Sequence, residues 1–467
     1  MAMRRIGEGE AAGVQSWAGH LRATIILGLP LVGAQLAQMA IGATDVLMLG
    51  RLGARELAAG VLGTQMFFFF YIFGIGFSNA VMPLAAHAHG RGDVRAVRRS
   101  VRMGLWVACF YAAPMMVALW HTETILVVLG QEPDLARMAG SYVRVVQWGL
   151  FPALFMMGLR SFFSAIGGAQ VILWAMLGGV AINIVLDYAF IFGHFGAPRL
   201  GIVGAAVASL GTNVLVFAIL AAWAAMRPHF RAYELFVRFW RPDWKAFFEI
   251  LRLGLPISMT IIAEVGLFMM ASVMMGWLGT ASLAAHGIAI QLASITFMAP
   301  LGLAQAGTVR VSQAHGRNNI GDLDRAALTV TVLAVALAAS SAIAFWLVPG
   351  PLVGLFLNHA DPLAPQVASL AVPLLAVAAA FQVVDSLQVT GASLLRGLRD
   401  TRVPMIMALI AYWPIGAATA YVLGFVAGLG GVGIWSGLAF GLACAAVAMN
   451  WRFHRREAYG LVRKRAD

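Results

Sequence analysis

Four carboxylates fall inside apolar runs long enough to cross a bilayer: Asp45, Asp187, Glu264 and Asp385. The other acids lie in loops, tails or span ends. A charged side chain in hydrocarbon costs a few kcal/mol or more, so it normally faces a partner or a water-filled cavity and marks an ion or substrate path. Each of the four has polar company at helical spacing. Asn183 precedes Asp187 by four residues, and Thr260 precedes Glu264 by four. Gln38 lies seven before Asp45, and Gln382 three before Asp385. These spacings put each pair on one helix face. Carboxylate-plus-amide groups of this kind can coordinate Na⁺ through oxygens or hold a proton. A lone acid near a span end can instead be merely interfacial, and Asp45 is the one most open to that reading.

The elements that must position these acids follow from composition. The chain has 467 residues, 61% hydrophobic and 11% charged, with a mean hydropathy of +0.84. Soluble domains are nearer a quarter charged. Membrane helices need about 20 apolar residues each, whereas membrane strands alternate over about 10. Continuous runs such as Val101–Trp120 and Leu328–Pro349 fit helices. Twelve spans are expected, at about 22–49, 57–85, 101–120, 138–162, 170–193, 201–226, 253–277, 283–309, 327–348, 366–395, 403–426 and 432–451.

At a rise of about 1.5 Å per residue, Glu264 and Asp385 sit roughly 18 and 16 Å above the boundaries set by Arg252 and Arg396. Both are near mid-membrane and can share one cavity. Asp45 and Asp187 lie toward the opposite leaflet, about 9 Å from Arg51 and about 26 Å from Gln170, and can meet there.

The net charge of +12 is distributed by side, which excludes a nucleic-acid reading. About 27 of the 32 lysines and arginines fall on one side, at the termini and even-numbered loops; the five left over are Arg51, Arg55, Arg137, Arg144 and Arg199. Basic loops stay in the cytoplasm. Both termini are therefore expected inside, and an even span count agrees. The basic stretches 91–102 and 227–252 read as lipid-headgroup contacts and topology signals. Arg144 and Arg160 are expected to snorkel to opposite interfaces. Cys109 and Cys444 lack metal-ligand spacing and read as inert buried thiols. The first apolar run is too long for a signal peptide and reads as an uncleaved first helix.

The chain repeats itself. Shifted by 226 residues, the segment from Gly28 to Arg91 overlays that from Gly254 to Arg317 without a gap. Gly28-Leu29-Pro30 meets Gly254-Leu255-Pro256, Gln65 meets Gln291, and His89-Gly90-Arg91 meets His315-Gly316-Arg317. An offset of six spans keeps orientation, so the halves are expected to be related by a pseudo-two-fold axis along the membrane normal. The acids break the repeat: Glu264 faces Gln38, and Asp45 faces Ala271. The expected organisation is an all-α membrane protein of two six-helix lobes, 1–226 and 253–451. An interfacial linker at 227–252 joins them, and a basic tail at 452–467 ends the chain. Acids in a twinned helical scaffold point to an ion-coupled secondary transporter working by alternating access.

The residues also resemble a known family. Gly28-Leu29-Pro30 through Ala43-Thr44-Asp45-Val46, then Gly50-Arg51-Leu52-Gly53, is similar to the first helix and turn of multidrug and toxic compound extrusion (MATE) transporters. So is the second copy, from Gly254-Leu255-Pro256 through Glu264 to Gly279. Asn183-Ile184-Val185-Leu186-Asp187 resembles the family's fifth-helix motif, and Asp385 with Gly391 to Arg402 its tenth helix and following loop. The pairing of Glu264 with Asp385 resembles the NorM-like branch, which exports organic cations in exchange for Na⁺ or H⁺. The resemblance implies a cation site at Glu264 and Asp385, and a polar site at Asp45, Asn183 and Asp187 helped by Thr212 and Asn213. Na⁺ is a candidate for either. Some NorM-like proteins carry a tyrosine one turn before the helix-ten aspartate; Phe381 stands there in this chain, and the missing phenol tilts the expectation toward H⁺.

Met66, Phe67, Phe70, Met269 and Phe381 suit a polyspecific cavity for small organic cations, since methionine adapts its shape and aromatic faces attract cations. Gln38, Thr260, Gln291 and Gln382 are supporting polar groups. No cofactor is expected beyond the coupling ion. Membrane lipids are expected partners, nucleic acid is not, and a monomer is the default state. A lipid-linked precursor flippase is the nearest rival, but it would favour cationic cavity residues. An ATP-driven pump lacks its GxxxxGK[ST] loop. A membrane-embedded enzyme lacks HExxH and GxSxG motifs.

Overall fold

The computed structural model describes residues 16–357 and 362–462. Among the described residues there is no strand, and twelve helices are long and apolar enough to cross a membrane. They are α1 (Trp17–Gly50), α2 (Ala54–Gly90), α3 (Val94–Trp120), α4 (Pro133–Ala165), α5 (Ala169–Phe192), α6 (Ile202–Met226), α7 (Trp244–Trp277), α8 (Thr280–Gly316), α9 (Ile320–Leu347), α10 (Ala364–Gly397), α11 (Arg402–Val426) and α12 (Gly430–His454). In hydrocarbon each backbone N–H and C=O must be satisfied within its own segment, which is why these apolar runs are helical.

Polar residues set the ends. Asp93 caps α3 by accepting from Ala96 N at 2.9 Å, and Asn319 caps α9 by accepting from Asp322 N at 3.0 Å. Gly53 and Gly279, which precede α2 and α8, hold φ of 156° and 112°, conformations that disfavour side chains. They are 226 residues apart, so the repeat extends to backbone detail.

The helices overrun the apolar windows. α2 and α8 continue to Gly90 and Gly316, and α7 starts at Trp244, so the last part of the 227–252 segment is helical. Hydropathy reports the hydrocarbon-crossing length, while the helix continues wherever local hydrogen bonds and an amphipathic face permit.

The chain forms two compact units, one of Gly33–Ser258 and one of Met1–Val32 with Met259–Asp467. This division differs from a cut at the linker: each unit contains the first part of the other repeat's first helix. Backbone crossings accommodate that exchange. In one unit a Cβ on Gly302 would stand 2.6 Å from Val32 N and 2.7 Å from its Cα; in the other, a Cβ on Gly76 would stand 2.8 Å from Ser258 Cα. Both glycines and both partners are related by the same 226-residue shift. Only a residue without Cβ lets the two backbones approach so closely.

Candidate functional site

In the unit Gly33–Ser258, α1, α5 and α6 bring a carboxylate pair together. Asp45 is half-buried, whereas Asn183 and Asp187 are buried completely. Asn183 Nδ2 donates to Asp45 Oδ1 at 2.9 Å, and Ser209 Oγ donates to Asp45 Oδ2 at 3.0 Å. Asp187 lies one turn past Asn183 on α5, next to Asp45 electrostatically. Both of its carboxylate oxygens, and Asn183 Oδ1, are buried without a hydrogen-bond partner among the described residues. The buried Tyr142 hydroxyl accepts from Thr64 Oγ1 at 3.2 Å and shares the field of both acids. Two neighbouring carboxylates with more acceptor oxygens than donors form a receptor for positive charge. A proton, a hard cation or a substrate ammonium meets that demand.

In the other unit, α7, α10 and α11 converge. Asp385 is buried, and Oδ1 lacks a hydrogen-bond partner among the described residues. Glu264, half-buried on α7, is its electrostatic neighbour. Tyr412 is fully buried on α11, lies in the field of both acids, and has a hydroxyl without a hydrogen-bond partner among the described residues. It sits in a π-helical segment, Ala411–Ala417, containing Pro414. Proline removes a backbone donor and crowds the preceding turn, and a widened turn accommodates it. Arg396 on α10 lies within the field of Glu264.

A second polar group packs close by. Trp435 Nε1 donates to His286 Nδ1 at 3.0 Å, and His286 Nε2 pairs with Ser272 Oγ at 3.0 Å. Phe381 packs between Phe268 and Trp435, with ring centroids 5.8 and 5.5 Å away.

The sequence-derived residues thus separate into groups. Asp45, Asn183 and Asp187 meet, as do Glu264 and Asp385. The supporting residues behave differently. Gln38 accepts from Arg160 Nη1 at 3.4 Å, and Gln35 Oε1 accepts from Arg160 Nη2 at 2.7 Å. The expectation that Arg160 snorkels to an interface is therefore corrected: it is 5% exposed and held by α1 amides. Gln382 is occupied by α8 and α9: Nε2 donates to Ala293 O at 3.0 Å and to Thr296 Oγ1, and Oε1 accepts from Ser341 at 3.3 Å. Thr212 donates to Ala208 O of its own helix at 2.8 Å. Asn213 is half-buried on α6, Thr260 is buried on α7, and Gln291 is exposed on α8.

Among the cavity candidates, Met66, Phe67 and Phe70 pack partly buried against the core around Tyr142 and Leu150. Phe67 stacks on Tyr71 with centroids 6.0 Å apart. Met269 is 64% exposed and Phe381 only 2%, so within their unit these two are in different environments. Sequence reading missed Ser209, Tyr142, Tyr412, His286 and Trp435. None lies three, four or seven residues from an in-membrane acid on its own helix, so spacing along the sequence does not mark it.

Comparison with known proteins agrees with the duplicated architecture. The MatE family model matches residues 30–189 and again 256–422, starting at the two equivalent prolines. The probable multidrug resistance protein NorM of Rhizobium meliloti (strain 1021) is 53% identical over 440 residues, covering 94% of each chain. The multidrug resistance protein NorM of Burkholderia vietnamiensis is 40% identical over 447 residues, covering 95% of this chain and 96% of its own. Crystal structures supply the same fold at low identity. That of the eukaryotic MATE transporter AtDTX14 gives a TM-score of 0.83 at 18% identity, over 96% of this chain and 100% of that one. A MATE in complex with MaL6 gives 0.86 at 22%, over 96% and 99%. With a family model matching both halves and relatives so similar over nearly the whole length, the chain belongs to the MATE family, in its NorM-like branch: it is a transporter rather than an enzyme.

Proposed function

We propose that the chain is a cation-coupled antiporter exporting lipophilic organic cations from a bacterial cell through the cytoplasmic membrane, with both termini inside. The observation that carries this reading is that each unit holds its own carboxylate pair, Asp45 with Asp187 and Glu264 with Asp385, and that the buried member of each, Asp187 or Asp385, has acceptor oxygens without a partner among the described residues. The names of the NorM relatives support multidrug export.

In the proposed cycle, ionised acids attract an organic cation from the inner side. The units then change access. H⁺ or Na⁺ arriving from outside takes over the carboxylate oxygens and releases the cargo outward. A positive charge moving inward through the membrane potential supplies roughly 2.3 kcal/mol per 100 mV. For Na⁺, the fitting donors are the oxygens of Asp45, Asn183 and Asp187, or of Glu264, Asp385 and Tyr412. In the second set Tyr412 offers a phenol that Phe381 does not. For H⁺, either carboxylate pair can hold one proton between its members.

The test is dye efflux from cells expressing the full chain. Glu264→Gln and Asp385→Asn should each abolish gradient-driven export of a fluorescent organic cation while the protein still reaches the membrane. Undiminished efflux in both would remove this pair from the mechanism.

A further inference from the structure

The start of α3 and the chain between α6 and α7 line an open cavity of about 240 Å³. Six guanidinium groups line it, from Arg95, Arg98, Arg99, Arg102, Arg238 and Arg241. Two carboxylates pair with them. Glu234 Oε2 lies 2.6 Å from Arg98 Nη2, and Asp243 Oδ2 lies 3.3 Å from Arg99 Nε. Positive charge remains in excess.

Side chains from α3 fix the wall. Arg98 Nε donates to Tyr233 O at 2.9 Å, Arg102 Nη1 to Arg238 O at 3.1 Å, and Trp106 Nε1 to Phe239 O at 3.0 Å. Arg238 and Glu234 hold left-handed backbone, φ 54° and 48°, which only the surrounding structure can impose on such residues. Arg102 Nε is buried without a hydrogen-bond partner among the described residues. Like charges gathered by strained backbone repel one another, and an anion between them offsets that repulsion.

The surroundings say which anion. An aromatic wall adjoins the arginines. Trp106 lies 6.5 Å from Phe239 and 5.9 Å from Phe110, and Phe110 lies 5.6 Å from Phe247. Trp240 and Trp244 are 72% and 52% exposed. Exposed tryptophans beside the end of an apolar helix mark the headgroup layer of a membrane. Guanidinium forks match phosphate oxygens two at a time, and basic pockets beside membrane helices take anionic headgroups.

We propose that this cavity binds the headgroup of an anionic phospholipid carrying two phosphate diesters, the chemistry of cardiolipin. Six arginines against two acids suit two phosphates better than one. The lipid would tie the chain between α6 and α7 to α3. This site is separate from the buried acids and does not depend on their role.

The test is native mass spectrometry of the full chain released from nanodiscs of defined composition. The wild type should retain cardiolipin in preference to phosphatidylglycerol and phosphatidylcholine. Arg95→Gln with Arg241→Gln removes two lining charges that have no ion-pair partner among the described residues. It should lower cardiolipin retention about tenfold, as expected for losing charge-assisted phosphate bonds. Arg95→Lys with Arg241→Lys should keep part of it. Arg55→Gln with Arg137→Gln, at the far end of the same unit, should change nothing. Equal retention of cardiolipin and phosphatidylcholine, or retention unchanged in the glutamine pair while the protein stays monodisperse, would overturn the proposal. So would displacement of the lipid by millimolar inorganic pyrophosphate, which would assign the cavity to a soluble polyanion.

Discussion

Asp187 and Asn183 occupy one face of α5, and together they present three buried acceptor oxygens without donors among the described residues, beside an Asp45 whose own oxygens accept from Asn183 and Ser209. That asymmetry assigns different work to the two acids. Asp45 is held in place by Asn183 and Ser209, and Asp187, beside the Asp45 carboxyl, has no donor of its own among the described residues. Asp187→Asn should therefore abolish coupled efflux, whereas Ser209→Ala should weaken it about ten- to a hundredfold and leave it measurable. The loss in Ser209→Ala is one hydrogen bond to a charged group, about 1.5–3 kcal/mol at most. Initial rates of dye efflux at matched expression distinguish the two. In the other unit, Tyr412→Phe removes a buried hydroxyl within the field of Glu264 and Asp385. If Na⁺ uses that phenol, the variant should need about tenfold more Na⁺ for half-maximal efflux, in line with one lost charged-group contact. If H⁺ is the coupling ion, the Na⁺ dependence should be absent in both proteins. At this scale the sequence was readable where partners share a helix. Asn183 with Asp187 follows from spacing alone. Ser209 and Tyr412 come from other helices, and polar residues scattered in apolar runs carry no mark of which neighbour they will meet.

Elements explain how each unit draws on both repeats. α1 and α7 are each continuous through a proline, Pro30 and Pro256, and each passes from one unit to the other two residues later. At that point a glycine of the following long helix, Gly302 or Gly76, lies against the crossing backbone. Gly302→Val and Gly76→Val should each destabilise the protein. Overpacking of this kind costs about 1–3 kcal/mol, more here because the obstacle is backbone. Gly42→Val, where a Cβ would meet nothing within 4 Å, is the control. Thermal unfolding in detergent, followed by tryptophan fluorescence, should show both crossing variants melting well below the control. The twelve spans and the repeat were legible because hydropathy and register are one-dimensional signals. The exchange of half-helices was not: nothing in the composition around Val32 or Ser258 says which partner the backbone will pack on. The buried Arg160 was misread for a related reason. Its hydropathy suggests escape to water, but Gln35 and Gln38 satisfy it in place.

For the molecule as a whole, duplication supplies the scaffold and asymmetry supplies the chemistry. The 226-residue shift relates prolines, glycines and turns, yet no acid of one pair maps onto an acid of the other. Two non-equivalent sites allow two loads, and in the proposed cycle these carboxylates take the coupling ion and the organic cation in turn. Purified protein in liposomes tests this directly. Export of a fluorescent organic cation should be driven by an imposed inward gradient of H⁺ or of Na⁺, and by one of these far more than the other. It should vanish when Asp187→Asn is combined with Asp385→Asn. Transport that runs equally without either gradient, or that persists in the double variant, would contradict the assignment of these acids to coupling.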